Sequence, residues 1–199
     1  MKIINVIVIT GTPGVGKTTI SKALAPRLKA FYVGLDDIVK TDNLILNVDR
    51  NRNTLVADLA KLRKKIEQVI HDASQTVIVE GHYASQVVPA KLTTHVFVLR
   101  RDPEELKAEL ESRSYDEKKI LENMSSEIVD VCLVDAINEY GLKQIHEIDV
   151  TQRSVEDVLE EILMILNNQK QCHTGIVDWL GKLEQEGRLD KVLTLLEKI

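Results

Sequence analysis

Aromatic side chains are scarce in this 199-residue chain: two phenylalanines, four tyrosines and one tryptophan make up 4% of it. Aliphatic residues must therefore fill the core. At 44% hydrophobic against 29% charged, there are enough of them for one sizeable globular domain with at most a small appendage. Cysteine is scarcer still. Cys132 and Cys172 stand far apart without CxxC spacing, so both read as reduced thiols, Cys132 within a helical core. Basic residues are in the minority, 26 Lys and Arg against 31 Asp and Glu, for a formal net charge of -5. A protein that coats nucleic acid neutralises phosphates with the opposite balance, so direct nucleic-acid binding is not expected. Long apolar runs are also missing. The longest one opens the chain and is interrupted by Lys2 and Asn5. It is too short for a bilayer and leads into a glycine loop rather than a cleavage site. The expectation is no membrane attachment and a cytoplasmic location, or a nuclear one in a cell with a nucleus.

What is present alternates between strands and helices. Ile3 to Ile9 is nearly all β-branched, as in a strand buried on both faces of a parallel sheet. Thr18 to Leu28 reads as a helix and Phe31 to Val33 as a short strand. Asn53 or Thr54 is expected to cap a long helix that carries Leu55, Leu59, Leu62, Ile66, Val69 and Ile70 on one stripe. Thr76 to Val79 and Thr94 to Leu99 read as strands. Asp102 before Pro103 marks a helix start, and a second helix is expected from about Asp116 to Gly141. Gln144 to Val150 is a fifth strand, and Ser154 with Asp157 resembles a capping box for the helix Val155 to Asn167. The fold class is therefore α/β: a five-stranded, mostly parallel sheet with helices on both faces, which binds its ligand at the carboxyl ends of the strands. From about Gln171 the pattern changes to two short amphipathic helices, around Ile176 to Leu183 and Leu189 to Leu196. They are expected to pack back through Trp179, Leu180, Leu183 and Leu193, or else to form a dimer or partner surface.

Residues 11 to 18 read GTPGVGKT and fit the P-loop pattern G-x-x-x-x-G-K-[ST]. Gly11, Gly14 and Gly16 free the backbone to turn successive N–H groups, Val15's included, toward an anion, and the following helix adds its positive end. Lys17 then suits the β- and γ-phosphates of ATP, Thr18 a Mg²⁺ ion and Thr19 the α-phosphate region. Strand Thr76 to Val79 delivers Glu80, Gly81 and His82 to the same edge. Glu80 suits the waters of the Mg²⁺ ion, and His82 a proton relay or the positioning of a nucleophile; a loop-capping carboxylate and an exposed imidazole are the alternatives. Arg100, Arg101 and Arg113 follow at the ligand edge, with Arg113 placed in a short lid over the phosphates or simply at a solvated helix end. Lys40, Arg50 and Arg52, within residues 34–57, suit an acceptor phosphate or serve as surface charges.

Together these residues resemble the atypical adenylate kinases, the nuclear sixth isoenzyme of eukaryotes and its archaeal relatives. The resemblance covers about residues 1 to 167 and rests on GTPGVGKTT at 11–19, the acid-x-His at 80–82, VFVLR at 96–100 and RSYDEKKILEN at 113–123. It implies a nucleoside monophosphate kinase-like P-loop domain over 1–170, with an acceptor segment at about 34–57 and a lid at about 112–122; the helical extension at 171–199 has no counterpart in that family's pattern. It implies ATP held by Gly14, Val15, Gly16, Lys17, Thr18, Thr19 and Arg113, with Arg153 flanking the adenine. It also implies Mg²⁺ at Thr18 and, through water, Glu80, with Lys17, Glu80, His82 and Arg113 catalytic. The acceptor would be AMP or dAMP, with an accompanying ATPase activity and a small-subunit ribosomal protein as partner. Glu80 in place of Asp, and Ser114 in place of a lid glycine, depart from that family's pattern.

Overall fold

A computed structural model describes residues 4–49, 54–171 and 173–197. Its main sheet is built from β1 (Val6–Thr10), β2 (Phe31–Gly34), β5 (Val77–Glu80), β6 (His95–Arg100) and β7 (Ile145–Asp149), in the order β2-β5-β1-β6-β7. Every pairing in it is parallel. The glycine loop leaves β1, the central strand, so its neighbours β5 and β6 deliver their carboxyl ends to either side of it. Side-chain alternation along β1 divides the interior into two layers. Ile7 and Ile9 pack with Leu24, Phe97, Leu106, Leu110 and Ile162 on one face, and Val6 and Val8 with Leu62, Ile66, Val96 and Leu133 on the other.

The first face is covered by α1 (Lys17–Leu28), α5 (Pro103–Ser112), α6 (Glu117–Ile128) and α8 (Val155–Leu166). The second is covered by α2 (Leu35–Thr41), α3 (Leu59–Asp72), α4 (Ala84–Val87) and α7 (Val131–Tyr140). Local chemistry sets the helix starts: Asp102 accepts the Glu104 amide at 2.9 Å, and Ser154 and Asp157 form the capping box.

Two expectations are corrected. The long helix does not begin at Thr54, and Asn53, the other expected cap, lies outside the described residues. Asp58 caps α3, accepting the Lys61 amide at 3.0 Å, and Thr54–Ala57 is instead strand β4, antiparallel to β3 (Ile45–Asp49). Leu55 lies on that strand and is exposed, as are Leu46, Val48 and Val56. The helix expected over 116–141 is two helices, broken at Asp130, whose φ is 59°. Nothing in the local sequence demands this break; the Asp130 carboxylate is held by Arg100, 30 residues away.

The segment after residue 173 lies against α6. Its helices α9 (Trp179–Gln185) and α10 (Leu189–Leu196) bury Trp179, Leu183 and Val192 with Ile128 and Val177. Leu180 and Leu193, expected in that contact, are exposed. Cys132 sits half-buried on α7, and Cys172 lies outside the described residues.

Candidate active site

The loop between β1 and α1 has the torsions of an anion cradle, with φ of 99° at Gly14 and 102° at Gly16. A Cβ on Gly14 would stand 2.7 Å from Leu106 and 2.9 Å from Leu110, so a glycine there also lets the loop lie flat on α5. A Cβ on Gly16 would project into open space, so the positive φ and not crowding calls for glycine there. Val15 is buried beneath the loop. Lys17 is 8% exposed and donates to the Thr12 carbonyl at 3.0 Å. Burial lowers its pKa, against the opposing pull of Glu80. It is thus a cation with one neutral acceptor, suited to phosphate oxygens.

Glu80, at the end of β5, accepts the Thr18 hydroxyl at 2.8 Å. Burial raises its pKa, while the Thr18 bond and the Lys17 charge work against the shift. Hydroxyl and carboxylate oxygens side by side are hard donors of the kind Mg²⁺ prefers, and the cation would relieve the buried acid. The residues therefore fit this metal. Thr19 is exposed on the first turn of α1.

His82 lies beside this pair. His82 is exposed at the strand edge, the alternative its sequence position left open; partial desolvation by the loops around it, and then the charge of Lys17, depress its pKa to about 4, opposed by Asp36, so its ring is neutral near pH 7. The His82 carbonyl accepts from Thr10 Oγ1 at 3.4 Å, and its ring meets Tyr83 edge-on with centroids 4.4 Å apart. Tyr83 in turn donates to Asp36 at 2.8 Å. Asp36, on α2, was given no role by sequence reasoning, yet its charge acts on Lys17, Glu80 and His82 together; the Asp-Asp pair opening a helix after a short strand was the available signal. Gly81 serves packing, since a Cβ there would come within 2.7 Å of Leu35.

The arginines divide. Arg100 is not a phosphate ligand: it is 1% exposed and bonds Glu127, Glu147 and Asp130. Arg101 reaches the phosphate loop, donating to the Gly14 carbonyl at 3.3 Å. Arg113 ends α5 half-exposed and pairs with Glu109 at 2.7 Å. The turn from Arg113 to Asp116 is the whole connection between α5 and α6, and Ser114 takes φ 59° there, the conformation a glycine adopts without strain. Arg153 follows β7 and pairs with Glu161 at 2.5 Å. Lys40 is exposed at the end of α2, and Arg50 and Arg52 lie outside the described residues.

One imidazole makes folding pH-dependent. Burial, and then the neighbouring His95, hold His146 at about 4. It titrates near 6.5 in an unfolded chain, which therefore binds more protons between these values. Its contribution is complete above about pH 6.5 and is lost as pH falls toward 4. Urea midpoints at pH 7 and pH 4.5 check this: the midpoint should fall, and less so in His146→Asn. An equal fall in that variant contradicts the assignment.

Comparison with known proteins supplies the relationship. Residues 7–130 match the family model described as "AAA domain". A protein of Methanocaldococcus jannaschii named "Putative adenylate kinase" is 40% identical over 176 residues, covering 88% of this chain and 93% of its own length. A Pyrococcus furiosus protein of the same name is 37% identical over 188 residues, covering 90% and 94%. Among solved structures, shikimate kinase from Acinetobacter baumannii superposes with a TM-score of 0.61 at 16% identity, covering 84% of this chain and 96% of that one. Thymidylate kinase from Candida albicans gives 0.57 at 16% identity, covering 83% and 92%; both show the shared P-loop kinase fold. The chain belongs to the AAA-domain family and to the group formed by these archaeal proteins named "Putative adenylate kinase".

Proposed function

We propose that this chain is a nucleoside monophosphate kinase that transfers the γ-phosphoryl group of ATP to AMP or dAMP, giving ADP and ADP or dADP. The observation that carries it is the convergence of Lys17, Thr18 and Glu80 at one strand edge, with Thr18 and Glu80 in direct contact. The kinship with archaeal adenylate kinase relatives supports the choice of acceptor. In this reading the loop amides and Lys17 hold the β- and γ-phosphates, and an acceptor phosphate oxygen attacks the γ-phosphorus as the bond to the β-bridging oxygen breaks. Mg²⁺, when bound through Thr18 and the waters ordered by Glu80, neutralises charge on the phosphates. No covalent enzyme intermediate is required, because orientation and electrostatics supply the catalysis. Residues 34–57 form the acceptor side, with Asp36 held by Tyr83. Arg101 donates to the Gly14 carbonyl of the phosphate loop, and Arg113 exchanges Glu109 for phosphate when the short lid closes.

Water in the acceptor position gives the accompanying ATPase, with the neutral His82 imidazole orienting it. A second reading makes hydrolysis the main activity and a small-subunit ribosomal protein the partner; the net charge of -5 suits a basic protein. On either reading the protein works in the cytoplasm. Assaying ADP formation from ATP and Mg²⁺ with a panel of monophosphates tests the proposal. AMP and dAMP should stimulate ADP formation well above the ATP-only rate, and a rate indifferent to every monophosphate would favour the ATPase reading.

Glu80→Gln keeps the size of the side chain and a hydrogen-bonding oxygen for Thr18, but removes the charge. Turnover at limiting Mg²⁺ should fall by about 10- to 100-fold and be partly restored by excess metal. A Mg²⁺ titration identical to that of the unaltered enzyme would remove Glu80 from the metal site.

A further inference from the structure

The phosphate loop is tied to the C-terminal segment through one buried carboxylate. Glu127, on α6, is 2% exposed. Its Oε2 accepts the Thr12 hydroxyl at 2.5 Å, and Thr12 is the loop residue whose carbonyl holds Lys17. Its Oε1 accepts from Arg100 Nε at 2.8 Å, the Arg101 amide at 3.1 Å and the indole Nε1 of Trp179 at 3.0 Å. One carboxylate group therefore joins the loop to the chain's single tryptophan, which lies 52 residues further on.

Two more ties from the same segment lead back to the loop. The Gly175 and Ile176 amides donate to Glu147 Oε2 at 2.7 and 2.9 Å, and Glu147 Oε1 receives Arg100, the partner of Glu127. Lys182 and Arg188 donate to Asp102 Oδ2 at 3.1 and 3.4 Å, at the start of the helix whose Leu106 and Leu110 lie under Gly14. Charge-assisted hydrogen bonds of fixed direction, in a low-dielectric interior, hold the segment in one place and transmit a shift at either end.

We propose that Glu127 is a positioning residue for the phosphate loop and that Trp179 sets its carboxylate, so that residues 173–197 form part of the apparatus that holds nucleotide rather than a passive appendage. Neither residue touches phosphate; both act through Thr12 and, beyond it, Lys17. When Lys17 leaves the Thr12 carbonyl for phosphate oxygens, the Thr12–Glu127–Trp179 chain is perturbed, and the indole senses an occupied loop. The inference rests on the reading of this loop as a nucleotide site.

The full-length chain supplies its own reporter. Intrinsic emission comes chiefly from Trp179, and its intensity or wavelength should change on titration with Mg-ADP, with a midpoint equal to the Kd from calorimetry on the same sample. Trp179→Phe keeps an aromatic ring but removes the N–H donor. It should weaken ADP binding by about five- to tenfold and raise the KM for ATP, an effect that lost stability alone would not produce well below the melting temperature. Glu127→Gln should act in the same direction. If calorimetry shows ADP bound while Trp179 emission stays unchanged, and Trp179→Phe binds ADP within twofold of the unaltered protein, the proposal is overturned and the nucleotide site stands. If calorimetry shows no ADP binding at all, the nucleotide reading itself fails. Should Trp179→Phe not fold, acrylamide quenching of Trp179 with and without Mg-ADP decides: altered quenching supports the coupling, and unaltered quenching refutes it.

Discussion

Lys17→Ala should reduce phosphoryl transfer by about a thousandfold or more while leaving the protein folded. The rate loss follows from removing the one buried ammonium at the phosphate loop, where charge develops on the transferring group. The retention of fold follows from the same burial. Desolvation depresses the pKa of Lys17, so the folded chain holds this cation at a cost, offset in part by the nearby Glu80 charge. Alanine removes that cost together with one bond to the Thr12 carbonyl. The melting temperature should therefore stay within a few degrees of the original or rise, as when a functional residue has been kept against stability. Steady-state kinetics beside thermal unfolding check both halves. Substantial activity in Lys17→Ala would displace the assigned site.

Arg100→Ala should have the opposite profile, with the fold failing first. Arg100 is buried with Glu127 and Glu147 and receives no solvent compensation. It donates to Glu127 at 2.8 Å and to Glu147 at 2.6 Å, and it also holds the Asp130 carboxylate at the break between α6 and α7. A buried ion cluster as a whole adds little to stability, because desolvation cancels most of the Coulomb gain. Removing one partner is different, since it leaves charge buried and unpaired. The expected loss is about 3–5 kcal/mol, which is a large share of the stability of an ordinary domain. Urea unfolding measures it, and a loss under about 1 kcal/mol, the median worth of an exposed pair, would mean that the cluster is hydrated.

The contrast between these two residues shows what could be read in the sequence and what could not. Lys17 sits in a motif whose glycines, strand and helix are all within a few residues, so its role is written locally. Arg100 also ends a strand at the ligand edge and looks equally suited to phosphate. Its partners lie 27 and 47 residues away, and only the packing of α6 and β7 against β6 shows that it faces inward. The sheet itself was legible because strands buried on both faces are continuous apolar runs, and because crossover helices impose parallel pairing.

The hairpin of β3 and β4 was not legible. Leu55, Leu59 and Leu62 stand at i, i+4 and i+7, which imitates a helical stripe, whereas Asp58 interrupts it as the true cap. Leu46, Val48, Leu55 and Val56 are exposed, and Ile45 and Ala57 at the hairpin's base are the pair that packs partly against the core, so no continuous buried face marks it as a strand pair. The division at Asp130 carries no glycine or proline signal and is set by a long-range ion pair. At the site, the sequence puts Glu80 and Thr18 at one strand edge, and the structure brings them into hydrogen-bond contact. Asp36 and Tyr83 were not legible, since a short α2 and the fold of the loops bring them to the same edge, whereas Arg101 stood at that edge in the sequence and only its bond to the Gly14 carbonyl depends on the fold. The positive φ of Ser114 explains why a glycine suits that turn between α5 and α6.

The central claim is that the phosphoryl group passes from ATP to a nucleotide. Following the label from γ-³²P-ATP in the presence of Mg²⁺ and AMP tests it most directly. The account predicts label accumulating in ADP only when AMP is present, and lost on Lys17→Ala. Label released solely as inorganic phosphate, at a rate unchanged by AMP or dAMP, would contradict it.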